Sequence, residues 1–347
     1  MSFVSSASIS DNLRLSLQKM QSELMKAEKE VSTGRLADPG VSLGALSSRS
    51  VTLSRDIARL ETIVDSNTMI SSRLSSTQDA IGQMSSLAES LLSTLTASAS
   101  GNAQPNVLRQ DGQSSLRTLT AILNSSLNGE YLFAGVNTDV QPIADYEAAG
   151  APSKAAFDAA FMSHFGFDKN NPAAATITKA DMTTFMDTVV EPMFMGADWT
   201  TDWSSATDQP ITSRIAINES ASTSVSANES GFRKLAMAAT MIAEFFSGNI
   251  GQAAREAVID KSVNLVGSSV ADLADLAART GIVEQRVKAA SERLDMQIDI
   301  FTNGISDLEA VDPYEASTRI STLLGQIETS YTLTARIQQL SLVRYLP

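Results

Sequence analysis

Between Gly40 and Pro105 the chain has no proline, and its apolar residues recur at alternating steps of three and four: Leu53, Ile57, Leu60, Val64, Ile70, Leu74, Ile81, Met84, Ala88, Leu91 and Leu95. Asn67 and Thr77 are the polar occupants of the same track. That rhythm is a coiled-coil seam, and it leaves few options for the fold. A helix of this length runs about 80 Å at about 1.5 Å per residue, which a compact domain has no room for. The step across Asn67 is three plus three, a stammer that locally overwinds a supercoil.

A second run keeps the same rhythm: Leu273, Leu276, Val283, Val287, Ala290, Leu294, Ile298, Phe301, Ile305 and Leu308, with Thr280 polar. A helix with an apolar stripe must bury it, so residues 43 to 97 are expected to pack antiparallel against residues 252 to 311. A shorter helix over residues 105 to 128, with Leu108, Leu116, Leu119, Leu123 and Leu127, is expected to join them. Gly248, Asn249 and Gly251 break the C-terminal half in two.

Both ends carry stripes of their own. Ile9, Leu13, Leu17, Met20, Leu24, Ala27 and Val31 form one, closed by Gly34 as a C′ residue. At the other end Asp312-Pro313-Tyr314-Glu315 combines an N-cap, a proline at N1 and an acid at N3. Ile320, Leu324, Ile327, Tyr331, Ile337 and Leu340 then give the last stripe. Each arm is marginal alone in water, so the two are expected to pair with each other, with neighbouring copies, or on assembly. Arg14, Lys19, Lys26 and Lys29 offset Asp11, Glu23, Glu28 and Glu30, which lets like subunits pack without strong repulsion.

The middle differs in composition. From Val140 to Ser230 lie five of the nine prolines (Pro142, Pro152, Pro172, Pro192, Pro210) and nine of the nineteen aromatics. Twelve acidic against four basic residues place −8 of the net −13 in that segment. Short helices over Ser153 to Phe167 and Lys179 to Phe194, with an alternating Ile211 to Ile217, read as a small mixed α/β domain. The fold expected for the 347 residues is mainly α, an elongated antiparallel helical bundle with paired coiled-coil arms and a small mixed α/β insert. Its parts are residues 1–33, 34–140, 141–230, 231–311 and 312–347: arm, core half, outward insert, core half and arm.

Composition excludes much chemistry. With no cysteine and one histidine, His164, there is no disulfide, thiolate site or two-imidazole metal site. His164 lies in the aromatic run Phe161-Met-Ser-His-Phe-Gly-Phe and reads as a packing or surface residue. Asp198, Asp202 and Asp208, interleaved with Trp199 and Trp203, could pair for glycoside hydrolysis but read more simply as a solvated acidic face. No Gly-rich phosphate loop or calcium loop is present, so neither an enzyme nor a cofactor is expected. The acidic balance argues against nucleic acid, and no apolar stretch is long enough for a membrane span. The start, Met1-Ser-Phe-Val-Ser-Ser-Ala-Ser-Ile-Ser10, has neither a basic n-region nor an apolar h-region.

Three segments resemble the flagellin-like hook-associated proteins. Asn128-Gly-Glu-Tyr-Leu-Phe-Ala-Gly-Val-Asn-Thr-Asp-Val-Gln-Pro-Ile143 resembles the Gly-x-Tyr-x-Phe-x-Gly strand that follows the family's helical core and leads to a Thr and a Pro, carried here by Gly129, Tyr131, Phe133, Gly135, Thr138 and Pro142. Val31-Ser-Thr-Gly-Arg-Leu36, with Gly34 and Arg35, resembles the turn after the family's first helix. Asp312-Pro-Tyr-Glu-Ala and Arg336-Ile-Gln-Gln-Leu-Ser-Leu-Val-Arg-Tyr-Leu346 resemble its C-terminal helix. The chain departs from the family in carrying Asp38-Pro39-Gly40 where flagellins usually have an acidic pair, and in ending on Pro347.

The resemblance implies a structural subunit of the bacterial flagellum, exported without a cleaved signal through the flagellar type III apparatus and located outside the cell. The implied role is the hook-filament junction of the L type, with a filament flagellin as the alternative and a coiled-coil adaptor as a further one. Implied partners are the chain itself in a ring or short helical layer, the neighbouring hook-associated junction protein, flagellin and a flagellar export chaperone.

Overall fold

The computed structural model of the protein describes residues 6–99 and 104–343. In chain order the elements are α1 (Ser6–Thr33), α2 (Pro39–Ser42), α3 (Ser47–Ala99), α4 (Pro105–Leu123), β1 (Ser126–Leu127), β2 (Glu130–Tyr131), α5 (Pro152–Phe165), α6 (Lys179–Phe185), α7 (Glu191–Met195), β3 (Thr212–Ala216), β4 (Glu219–Ser222), α8 (Ser230–Phe245), α9 (Gln252–Glu309) and α10 (Pro313–Val343). The chain forms two compact units, Met1–Thr62 with Leu294–Pro347, and Ile63–Arg293.

In the first unit α1 packs along α10. The start of α10 is built as its sequence predicts, with the Tyr314 amide donating to Asp312 Oδ1 at 2.8 Å and Pro313 as the first helical residue. The first part of α3 runs beside the last part of α9, where Ser50 Oγ donates to Glu309 Oε1 at 2.5 Å.

In the second unit the same two helices are antiparallel. Asn67 Nδ2 donates to Ser291 Oγ at 3.1 Å, and Gln78 Nε2 to the Ala277 carbonyl at 2.8 Å. Partner numbers fall on α9 as they rise on α3. Every seam position named from the sequence between Leu53 and Leu95 is buried or half-buried, Asn67 and Thr77 included at 1% exposure each. The α9 seam from Leu273 to Leu308 is likewise buried or half-buried.

α4 packs on α8 at very short range, and Gly112 makes that possible. A Cβ there would lie 2.7 Å from the Ala243 backbone nitrogen and 2.9 Å from Ile242 Cγ2. α4 ends at Leu123, five residues before the expected 128, because Asn124 spends its side chain on another segment. Its Nδ2 donates to the Ile143 carbonyl and its Oδ1 accepts the Ile143 amide, both at 2.9 Å. Leu127 keeps the helical apolar period yet sits in β1.

The strand expected over residues 129 to 135 is reduced to Glu130–Tyr131, paired with β1. Asn128 (φ 54°) and Gly129 (φ 87°) are both left-handed and form the two-residue loop of this hairpin. Beyond it the chain is held by single backbone bonds instead of a ladder.

The expected helices and strand of the insert are present: α5, α6 running through a π-type turn (Met186–Val190) into α7, and a β3–β4 hairpin. The segment 141–230 has no core of its own. Phe157, Phe161, Phe185, Phe194, Trp199 and Trp203 belong to the same apolar cluster as Leu91, Leu116, Phe232 and Phe245. The compositional break is real, but aromatic side chains from the insert fill the space beside α4 and α8. Glu244 of α8, only 7% exposed, accepts from both Lys154 and Lys169 of the insert, and Lys169 also reaches Asp158 at 2.8 Å.

Two outcomes follow from this packing. Gly112→Ala adds helix propensity worth about 1 kcal/mol in an exposed helix, yet it should destabilise by about 1–3 kcal/mol through overpacking against the α8 backbone, read by chemical denaturation. Burial depresses the Lys169 ammonium, but Glu244 and Asp158 outweigh that and hold its pKa above the ordinary lysine value. A raised cation pKa gives stability that is present through neutral pH and lost as pH rises past about 10.4. Lys169→Gln should therefore lower the thermal midpoint at neutral pH and flatten its fall in the alkaline range.

Candidate assembly surface

The arm pair is built by seven-residue steps. On α1, Leu13, Leu17, Met20 and Leu24 are half-buried and Ala27 is 1% exposed. On α10 the buried or half-buried track is Ala316, Ile320, Leu323, Ile327, Ser330 and Thr334. Ile320 and Ile327 lie on this track, whereas Leu324 and Tyr331 of the same stripe are 50% and 53% exposed in the single chain. Hydrophobicity favours Tyr331 over Ser330 and does not separate Leu324 from Leu323. One residue turns a helix by about 100°, so Leu324 and Tyr331 look away from the α1 seam. The missed signal was Ala316, from which Leu323 and Ser330 follow at seven-residue intervals. Ile9 is 39% exposed, and the side chains of Ile337 and Leu340 lie outside the described residues.

The arms thus bury one stripe and leave other apolar side chains in water. Leu15 and Met25 of α1 are 67% and 64% exposed, and Leu333 of α10 is exposed too, at 46%. Tyr331 still touches α1 through its hydroxyl, which accepts from Gln21 Nε2 at 3.1 Å. Exposed apolar side chains at this density on a helix pair suit packing against a further helical surface.

An elbow fixes where the arms start. Gly34 (φ 67°) ends α1 in the left-handed conformation, its amide bonded to the Glu30 carbonyl at 2.8 Å. Arg35 pairs with Ala310 as an antiparallel bridge, flanked by Leu36 N to Glu309 O at 2.8 Å and Val311 N to Gly34 O at 3.1 Å. Glu30, 6% exposed, accepts the Ala37 amide at 3.2 Å on one oxygen and Arg319 at 3.1 Å on the other. Asp38, in place of the family's acidic pair, caps α2 by accepting the Val41 amide at 3.3 Å.

The glycine-bounded motif proves to be lacing. The Tyr131 carbonyl accepts from Arg73 Nη2 at 2.6 Å and its amide donates to Thr138 at 2.8 Å. Phe133 is fully buried, edge-on to Phe232 at 5.5 Å. Gly135 has φ 68°, and a Cβ there would lie 2.4 Å from the Thr207 carbonyl oxygen. The Pro142 carbonyl accepts the Ser205 amide at 2.8 Å. These residues tie the end of α4 to the insert and present no reactive group.

The candidate chemical groups are structural too. Trp199 and Trp203 stack in parallel, with centroids 5.6 Å apart, and Trp199 Nε1 donates to Asn228 Oδ1 at 2.9 Å. Asp208 accepts from the same Asn228 at 2.8 Å. His164 is exposed beside Phe165. Among the described residues no three His, Asp or Glu side chains converge as metal ligands, and no helix is long and apolar enough to cross a membrane.

Residues 4–138 match the family model of the bacterial flagellin N-terminal helical region, and residues 263–346 match that of its C-terminal helical region. The chain belongs to the flagellin family. It is a structural subunit of the bacterial flagellum, and the two matches take in both arms, the elbow and the 129–135 motif, leaving the whole insert outside. Its fold is similar to that of a protein from Vibrio parahaemolyticus provisionally described as a flagellar hook-associated protein, at 11% identity and a TM-score of 0.51, covering 76% of this chain and 97% of that one. No curated protein matches it.

Glu30→Ala in this flagellin-family chain should leave the Ala37 amide without its partner and loosen the elbow by about 1–2 kcal/mol. Arg319→Ala should cost well under about 1 kcal/mol, because Arg319 is 47% exposed. Hydrogen exchange at Leu36 and Ala37 separates the two: faster exchange in the first variant and little change in the second.

Proposed function

We propose that the chain is the hook-filament junction protein of the L type, assembling through its terminal helices so that flagellin can polymerise on it. The observation that carries this reading is the motif from Gly129 to Pro142, which laces a short aromatic insert onto the helical core. A segment of that kind, with Thr138 and Pro142 after it, resembles junction proteins more than filament flagellins. The likeness to a protein described as hook-associated, covered over 97% of its length, supports the same choice.

On this reading the arms form the inner part of the axial structure and the insert faces outward, where its −8 of charge meets water. Partners are further copies of the chain in a ring or short helical layer, the neighbouring hook-associated junction protein on one side and flagellin on the other. Export through the flagellar type III route suits a chain with no disulfide to undo. The apolar positions left in water on α10 are where an export chaperone would shield the monomer before assembly.

The deciding experiment is a deletion strain complemented with variants. Loss of the protein should leave hooks without filaments and shed flagellin into the medium. Normal motility overturns the reading. Bare hooks with intact junction layers and no flagellin in the medium would identify a filament subunit instead. Leu324→Glu with Tyr331→Glu should complement poorly, while the purified variant keeps the helical circular dichroism of the parent, since both residues are half-exposed in the single chain.

A further inference from the structure

The α3 seam has one site where an amide replaces an apolar side chain at full burial. Asn67, 1% exposed, lies at the stammer, and its Nδ2 donates to two elements at once: the Ile215 carbonyl of β3 at 2.9 Å and Ser291 Oγ of α9 at 3.1 Å. Its Oδ1 is buried and accepts no hydrogen bond from the protein. A half-satisfied buried amide costs stability compared with a leucine or valine, so its value lies elsewhere.

The hairpin is shaped to meet it. The β3–β4 ladder pairs Arg214 with Ser220 and then Ala216 with Glu219, so Ile215 is the extra residue of a bulge. Its carbonyl is thereby released from the ladder and turned to Asn67, while its fully buried side chain joins Ile70, Leu74, Val287 and Ala290. At the hairpin turn Glu219 accepts from Arg286 at 3.1 Å and from Arg293 at 3.0 Å, two arginines one heptad apart on α9.

An apolar seam does not choose between registers that differ by a heptad. A seven-residue slide of α9, about 10.5 Å along its axis, carries Leu276 to the place of Val283, Val283 to that of Ala290 and Val287 to that of Leu294. In that direction Arg279 and Arg286 take the places of Arg286 and Arg293 beside Glu219, and in the other direction Arg293 stays beside it. What the slide removes is the α9 half of the Asn67 pairing: the amide would face the carboxylate of Glu284 or the apolar Ile298 in place of the Ser291 hydroxyl. We infer that Asn67, with the Ile215 bulge and Ser291, is a register lock: it gives up stability to select one axial alignment of α3 and α9 from the heptad-spaced alternatives.

The absence of cysteine makes the test clean. A Cβ on Gly281 would sit 3.0 Å from Gln78 Nε2, so Gln78→Cys with Gly281→Cys reports the native register. Gln78→Cys with Lys288→Cys, and with Ala274→Cys, reports a slide in either direction. With a short bis-maleimide the full chain should cross-link at 78–281 and only weakly at the slid pairs. Introducing Asn67→Val should raise a slid product relative to the native one by about tenfold, the change that accompanies a loss of about 1.4 kcal/mol of selectivity, while the thermal midpoint holds or rises. An unchanged ratio in a folded Asn67→Val protein overturns the lock, as does a fall in midpoint with no slid product. If Asn67→Val does not melt cooperatively, Ser291→Ala with Arg293→Gln loosens the same contacts from α9. An unchanged ratio there overturns the proposal equally.

Discussion

A helix with an apolar stripe every three and four residues cannot be left in water, and this constraint organises the whole molecule. Each long helix finds a partner whose stripe has the same period, α3 with α9 and α1 with α10. At about 25 cal/mol per Å² of apolar surface, burying a stripe this long far outweighs the small intrinsic preference of any residue for helix. The polar positions on the stripes are few. Where they occur they are capped locally, as Thr77 and Thr280 are by their own helices' carbonyls, or tied to a third element, as Asn67 is.

The flagellin family's short motifs mark joints. Gly34 and Arg35 make the elbow that sets the arm pair beside the ends of α3 and α9, and the Gly129 to Pro142 run laces the insert to the helical core. Both joints rely on backbone hydrogen bonds. Each glycine there is left-handed, and Gly135 has no room for a side chain at all. A structural protein can keep such positions fixed without any catalytic group, because the contacts that fail on substitution are steric.

Much was legible in the chain alone. The seams of α3 and α9, the break at Gly248–Gly251, the α10 start and the α1 stop follow from periodicity and capping, which are local and strong. The end of α4 was not legible, since Leu127 continues the helical period and only the distant Ile143 gives Asn124 a reason to leave it. The Asn128-Gly129 pair was the hairpin signal that an apolar reading passed over. On α10 the choice between Leu323 and Leu324 depends on the facing helix, and no count of hydrophobicity within one arm decides it.

By itself, then, the sequence determined which segments are helical, which face of each is apolar, and that no disulfide or thiolate chemistry is available, because these depend on residue type and spacing of three or four. Only the tertiary structure decided how the stripes pair, that the aromatic insert shares a core with α4 and α8, and which apolar residues of the arms stay in water. Those outcomes depend on contacts between residues hundreds of positions apart, where packing volume and the orientation of one helix against another select among alternatives that the local pattern leaves equal.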